Sequence, residues 1–252
     1  MHNLKDRLRV SAIHLTISLG IAALAALLVF ELWYPYPYRE ISGGRELFAL
    51  VIAVDVVMGP LITLIIFNRA KSRRHLAMDF SVVGLLQLAA LSFGLWTVFV
   101  ARPVHLVFEF HRMAVVHAVD VDPAQLGQAR AELQALPLTG PTLLSLRPFK
   151  SFDEQHNSTM LALEGIAQAA QPGLWQPYEV ARAGILQEAK PVAQLKVRFP
   201  DQAAAIDHAV ARIGLQVNSL GYLPLVTRKN AWTVLIDSIT AQPVGYLPID
   251  SF

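Results

Sequence analysis

The sequence predicts a membrane bundle of three transmembrane α-helices followed by an α+β domain that ends in an antiparallel sheet. Three observations carry that prediction. Apolar runs occupy residues 15–33, 47–67 and 80–100, each near the roughly 20 residues that a bilayer crossing needs. No uninterrupted run of that length recurs beyond Arg102, so residues 104–252 read as one domain of ordinary size, set off from a membrane domain at 1–103. The tail reads LPLVT, WTVLID and PVGYLPI with RKNA and Ala241-Gln242 as turns, the pattern of three antiparallel strands with Pro243 at a strand end or edge. A composition of 54% hydrophobic and 16% charged residues argues against a wholly soluble chain.

The first span, Leu15 to Trp33, follows Lys5, Arg7 and Arg9. Ala23-Leu24-Ala25 resembles a signal-peptide cleavage pattern, but the apolar run continues to Trp33, so an uncleaved anchor is expected. Ser18, Ala22 and Ala26 recur at four-residue spacing and offer a small-residue face for close packing. In the following YPYPYREISGG, the rings of Trp33, Tyr34, Tyr36 and Tyr38 suit the headgroup level, as does Trp96 at the end of the third span. Pro35 and Pro37 are expected to keep this segment extended, and Gly43-Gly44 permits the turn into the second helix.

The second span, VIAVDVVMGPLITLIIF, carries a carboxylate and a proline in its interior. An acidic residue near a helix centre costs roughly 2.5–3.5 kcal/mol on insertion, so Asp55 must face other helices, a wet cleft or a partner. Pro60 removes a backbone donor and predicts a kink, and Gly59 beside it admits a close neighbour. In the third span Asp79 is read as the N-terminal cap, and Gly84, Gln87, Leu91 and Gly94 form a stripe that should face protein. By depth Asp55 matches Ser92, with Gln87 several Å deeper; a kink brings either within reach, and the sequence does not choose.

Arg69, Lys71, Arg73 and Arg74 fill the second loop, whereas Arg39 and Arg45 of the first loop sit beside Glu40 and Glu46. The positive-inside rule places the N-terminus and second loop in the cytoplasm and the C-terminal domain outside. The net charge of +2 is largely this topology signal. The basic cluster has no interleaved aromatics, so no nucleic acid partner is expected. Absence of cysteine is compatible with an oxidising compartment without demonstrating one.

In the C-terminal domain, Val104 to Val121 reads as one long strand or a hairpin turning near Arg112. Helices are expected over Pro123 to Leu136 with Asp122 as cap, Phe152 to Ala170, Pro177 to Ala189, and Pro200 to Ile213 with Gly214 as stop. HExxH, G-x-S-x-G, P-loop and G-x-G-x-x-G signatures are all absent. His105, His111 and His117 are about 20 Å apart at each step along one strand, too far to share a metal; a hairpin brings two closer. Ordinary surface or core histidines are the simpler reading.

The succession WYPYP, GG, an Asp-containing span ending in GPLITLIIFN, a basic loop, MDFSVVGLLQLAALSFGLWTVFVARPV and FEFHRM resembles the TfpX/TfpZ (FimB-like) type IV pilin accessory proteins. The likeness runs to about Val121 and continues more loosely in WTVLID and PVGYLPID. By position it covers Trp33, Tyr34, Pro35, Gly43, Gly44, Asp55, Gly59, Pro60, Asp79, Gln87, Arg102, Pro103 and Arg112. Where many members have aspartate before that arginine, this chain has His111, which puts an Asp-Arg pair in question.

The resemblance implies a multi-pass inner-membrane protein with a periplasmic domain, not an enzyme and without cofactor or metal. It would bind and stabilise a cognate type IV major pilin before pilus assembly. The residues expected to meet that partner are Asp55, Gly59, Pro60, Gln87, Gly94, Arg102, Arg112, Trp33 and Tyr34. The lipid bilayer is the other expected partner, and the sequence sets no oligomeric state. The alternative class is a membrane-anchored sensor that signals through its helix bundle; a pilin gene alongside would favour the first.

Overall fold

The computed structural model describes residues 2–68, 71–228 and 230–252; Arg69 of the basic loop and Lys229 of the RKNA turn lie outside the described residues. The chain divides into two compact units, Met1–Ala101 and Arg102–Phe252.

In the first unit, three helices among the described residues are long and apolar enough to cross a membrane: Leu4–Trp33, Gly44–Ile66 and Arg73–Val100. The first and third run well past their apolar windows, because polar residues with good helix propensity prolong the backbone ladder. Helix α1 (His2–Leu27) passes into a π-helical turn, Leu28–Trp33, and a short helix α2 (Tyr38–Ile41) follows. The second long helix is α3 (Gly44–Ala53), a π-helical turn (Val54–Met58), then α4 (Gly59–Ile66) with Pro60 in its first turn. The third is α5 (Arg73–Val100).

Three expectations change here. Asp79 does not cap α5: Ser72 does, its hydroxyl accepting from His75 N–H, while Asp79 lies inside the helix and pairs with Lys71 at 2.6 Å. The apolar boundary is not the helix boundary, since RRHLAM continues the helix on the polar side. Residues 35–41 turn into α2 rather than running extended. Tyr34 and Tyr38 are buried rather than placed as surface rings, whereas Tyr36 and Trp96 are exposed. Gly43 has φ 70°, the left-handed turn its lack of a side chain permits, and leads into α3.

The second unit holds a mixed sheet. Strands β1 (Pro103–Glu109) and β2 (Arg112–His117) form the hairpin alternative, with Glu109 opposite Arg112. Strand β3 (Thr142–Leu146) lies parallel to β1, and β4 (Trp175–Pro177) antiparallel to β3. A two-residue strand β5 (Lys190–Pro191) pairs with β6 (Leu220–Val226), which also runs parallel to β2. Strands β7 (Trp232–Asp237) and β8 (Pro243–Leu247) complete the expected antiparallel tail, Pro243 opening β8, in the order β4-β3-β1-β2-β6-β7-β8. One core packs Val104, Val107, Leu144 and Trp175 around β1 to β4. Another packs Leu195 and Ile206 on Leu220, Tyr222 and Leu235.

The predicted helices of this unit are shorter. Pro123 to Leu136 is two 3-10 segments, Pro123–Gln128 and Ala131–Leu133, although Asp122 does cap the first by accepting from Ala124 N–H at 2.9 Å. Helix α6 (Phe152–Leu163) stops ahead of Gly165, whose φ of 103° no helix allows. The third prediction shrinks to α7 (Arg182–Glu188) behind a 3-10 turn. Helix α8 (Val192–Arg198) follows, and α9 (Ala203–Ile213) ends as expected at Gly214, φ 75°.

Candidate functional site

The second long helix changes register where its polar residue sits. In a π-helical turn the carbonyl of residue i bonds the N–H of residue i+5, so continuing the Val54–Met58 register points the Asp55 carbonyl at residue 60. Proline there has no N–H to give. Gln87 of α5 fills the gap: its Nε2 donates to the Asp55 carbonyl at 3.1 Å and to Asp55 Oδ1 at 3.3 Å. Gly59 makes this approach possible, because a Cβ at that position would lie 1.9 Å from Gln87 Nε2. The proline, the glycine, the amide and the carboxylate thus meet at one register change, and the structure selects Gln87 over Ser92.

Helix α1 packs along the same region with polar contacts of its own. Ser11 donates its hydroxyl to the Pro60 carbonyl at 2.8 Å, and His14 Nδ1 lies 2.6 Å from Thr63 Oγ1. Ser18 and Ala22 are buried on that helix, as the small-residue face requires; Ala25 is buried too, and Ala26 packs only partly. Ser11, His14 and Thr63 escaped the sequence reading. The available signal was the recurrence of Ser11, His14 and Ser18 at spacings of three and four, a polar stripe on an apolar helix.

Between α3 and α5 lies a groove of about 290 Å³, walled by Leu50, Val51, Val54, Leu91, Phe93 and Gly94 among others. Gly94 sets its depth: a Cβ there would meet Val51 Cγ1 at 2.7 Å, so only glycine lets the two helices close. The walls are apolar, and Asp55, only 5% exposed, also lines the groove. Its Oδ1 is held by Gln87, while Oδ2 has no hydrogen bond among the described residues. Leu50 and Phe93 stand 68% and 73% exposed on the open side. The other predicted residues of this unit have structural roles nearby. Trp33 packs on Phe99 at 5.0 Å between ring centres, and Tyr34 donates to the Val98 carbonyl at 3.0 Å, its ring lying against Gly44.

Arg102 and Arg112 belong to the sheet unit and do not contribute to the groove within the membrane unit. Arg102 donates through Nε and Nη2 to the Pro137 carbonyl. Arg112 finds its acid in buried Glu109, at 2.7 Å across the hairpin turn, so an ion pair persists although His111 stands where aspartate was expected. His105 opposes Val116, putting adjacent His117 on the other sheet face, and exposed His111 sits in the turn. His105 Nδ1 meets Thr142 at 2.7 Å, and His117 Nδ1 meets Asp120 at 3.1 Å. These are core histidines, placed apart.

Comparison with known proteins gives this architecture its context. The chain is 36% identical to the fimbrial assembly protein, serogroup I, of Dichelobacter nodosus over 91% of its own length and 90% of that protein. It is 33% identical to the serogroup E1 protein of the same organism over the same shares. The chain belongs to the fimbrial assembly protein (FimB) family. A family model described as fimbrial assembly protein FimB matches residues 2–43, which cover α1 and the turn to Gly43. A third FimB relative, for serogroups C1 and C2, is 40% identical over 48% of this chain and 92% of itself. Both long FimB relatives therefore align across membrane helices and sheet unit alike. No solved structure matches the chain.

Proposed function

We propose that this FimB family member is a non-enzymatic, multi-pass inner-membrane accessory protein that holds the apolar N-terminal helix of a cognate type IV pilin before pilus assembly. The observation that carries the reading is the α3/α5 groove, an apolar trough with one uncommitted carboxylate oxygen. A pilin helix, by the family resemblance, bears a glutamate near its start, and a polar group that lipid leaves unsatisfied costs several kcal/mol. Asp55 Oδ2 can receive the pilin's amino terminus or share a proton with that glutamate, while Phe93, Leu50 and the notch at Gly94 take the apolar flank. The relatives' role in fimbrial assembly supports the reading. In it the N-terminus and second loop are cytoplasmic and the sheet unit is periplasmic, following the basic residues.

Site-specific photocrosslinking in native membranes tests it. A crosslinker at Phe93 or Leu50 is expected to capture pilin, and Gly94→Leu, which fills the notch, is expected to abolish the adduct. Ile65, equally lipid-exposed at 72% but outside the groove, is the control. Equal capture from all three positions would sink the groove as the pilin site.

A further inference from the structure

The sheet unit carries a polar cleft that the membrane groove does not explain. Two adjoining depressions, of about 480 and 400 Å³, share Gln128, Arg147, Lys150 and Gly173. The floor is rigid. Arg147, just past β3, donates to the Gly173 and Pro148 carbonyls and holds both oxygens of Glu154, at 2.6 and 2.9 Å. The Lys150 N–H adds a third bond to that carboxylate at 2.5 Å. The Arg147 bonds, then the Lys150 bond, pull the Glu154 carboxyl down to about 2, so it stays ionised and neutralises Arg147. The Lys150 ammonium makes no hydrogen bond or ion pair among the described residues and adds a positive charge to both depressions, while Arg130, which lines the second, has Glu132 at 3.7 Å as its counter-charge.

The rest of the lining is rich in amides. Gln128 and Asn157 have no hydrogen-bond partner among the described residues. Gln171 spends both N–H groups on the Ser158 and Ile166 carbonyls, which leaves its oxygen to accept. Ser158, 4% exposed, keeps a buried hydroxyl without a partner among the described residues on the same wall, a group whose desolvation is uncompensated until something bonds it. Gly173 has no side chain to press on Gln128 Oε1, which would lie 3.3 Å from its Cβ.

We propose that this cleft binds an extended, carboxylate-bearing peptide segment. A carboxylate answers the Lys150 charge, and the free amides match the alternating N–H and C=O groups of a main chain running through both depressions. A sugar ring finds no platform, because Trp175, the one aromatic among the described lining residues, is 1% exposed. The proposal stands apart from the pilin groove, since it concerns residues of the other unit only.

Fluorescence anisotropy on the full chain in lipid nanodiscs tests it. The probes are a labelled hexapeptide pool with glutamate or aspartate at two positions and asparagine, serine, glycine or alanine elsewhere, and a matched pool with the acids replaced by amides. The acidic pool is expected to bind about tenfold tighter at low salt, the equivalent of one well-placed ion pair, with the difference shrinking at high salt. Lys150→Gln is expected to erase that difference, and Asn157→Ala to weaken both pools; exposed positions such as these leave the fold intact, which an unchanged melting temperature verifies. Equal binding of the two pools, or an undiminished preference in Lys150→Gln, overturns the proposal. Free glutamate competing as well as the acidic peptides also overturns it, by showing a small-anion site.

Discussion

Pro60 and Gln87 complete each other's bonding, so the cost of breaking the pair follows from which groups are left bare. Gln87→Leu orphans the Asp55 carbonyl and Oδ1 in an apolar setting, and is expected to lower stability by about 1–3 kcal/mol in thermal melts of the nanodisc-embedded protein. Gly59→Ala places a methyl group where the Gln87 amide lies and should cost a similar amount. Because both changes remove one contact, the double variant should lose clearly less than the sum; strict additivity would show that the contact contributes nothing. Asp55→Asn is different in kind. Asparagine keeps an acceptor for Gln87 and relieves the insertion cost, so protein level should hold while co-purification with pilin declines. Undiminished co-purification would assign Asp55 a structural role alone.

The sheet unit carries a pH dependence that starts from its two buried histidines. Burial in β1 lowers His105 from 6.5 to about 4, and burial lowers His117 of β2 as well, against the opposing pull of Asp120. The unfolded chain takes up protons near pH 6.5 that the fold refuses until about pH 4, so stability is full above 6.5 and drains between those values, by about 3 kcal/mol for His105 alone. Asp120 is held down to about 2, its bonds to His117 and its Arg228 neighbour outweighing burial; with Glu154 it extends the loss from about pH 4 to 2. Denaturant midpoints across pH 4–7 check this, and His105→Gln should flatten the upper part of the slope. Legibility in the sequence followed the same division by element. Long apolar spans and the LPLVT, WTVLID and PVGYLPI strands announced themselves, because each satisfies a period over many residues. Strands β4 and β5, three and two residues long, hold no period to read. Of the site, Asp55, Gly59, Pro60 and Gln87 were visible as residues that an apolar helix should not need. Their mutual bonding was not, because it turns on a register change at Val54–Met58 that no local preference encodes. Phe93 and Leu50 look like any lipid-facing residue until a neighbouring helix makes them walls.

At the scale of the whole molecule, the expected orientation can be read with a chain that has no cysteine of its own. Ser238→Cys, exposed in the sheet unit, should react with an impermeant thiol reagent in spheroplasts, and Arg74→Cys only after lysis; the reverse pattern would invert the topology. A chimera with three unrelated spans ahead of residues 104–252 should lose pilin stabilisation, whereas full retention would shift pilin capture to the sheet unit. The parallel pairing of β2 with β6 also governs how the molecule is born. Met113 waits for Leu225, about 110 residues later in synthesis, before the outer rim of the central hairpin gains its neighbour. Until then a nascent chain exposes an open backbone ladder, a template that any passing strand can occupy. A chain cut short before Leu220 should therefore reach the membrane yet clump through that rim, and the closing strands are what make the newborn domain safe in company.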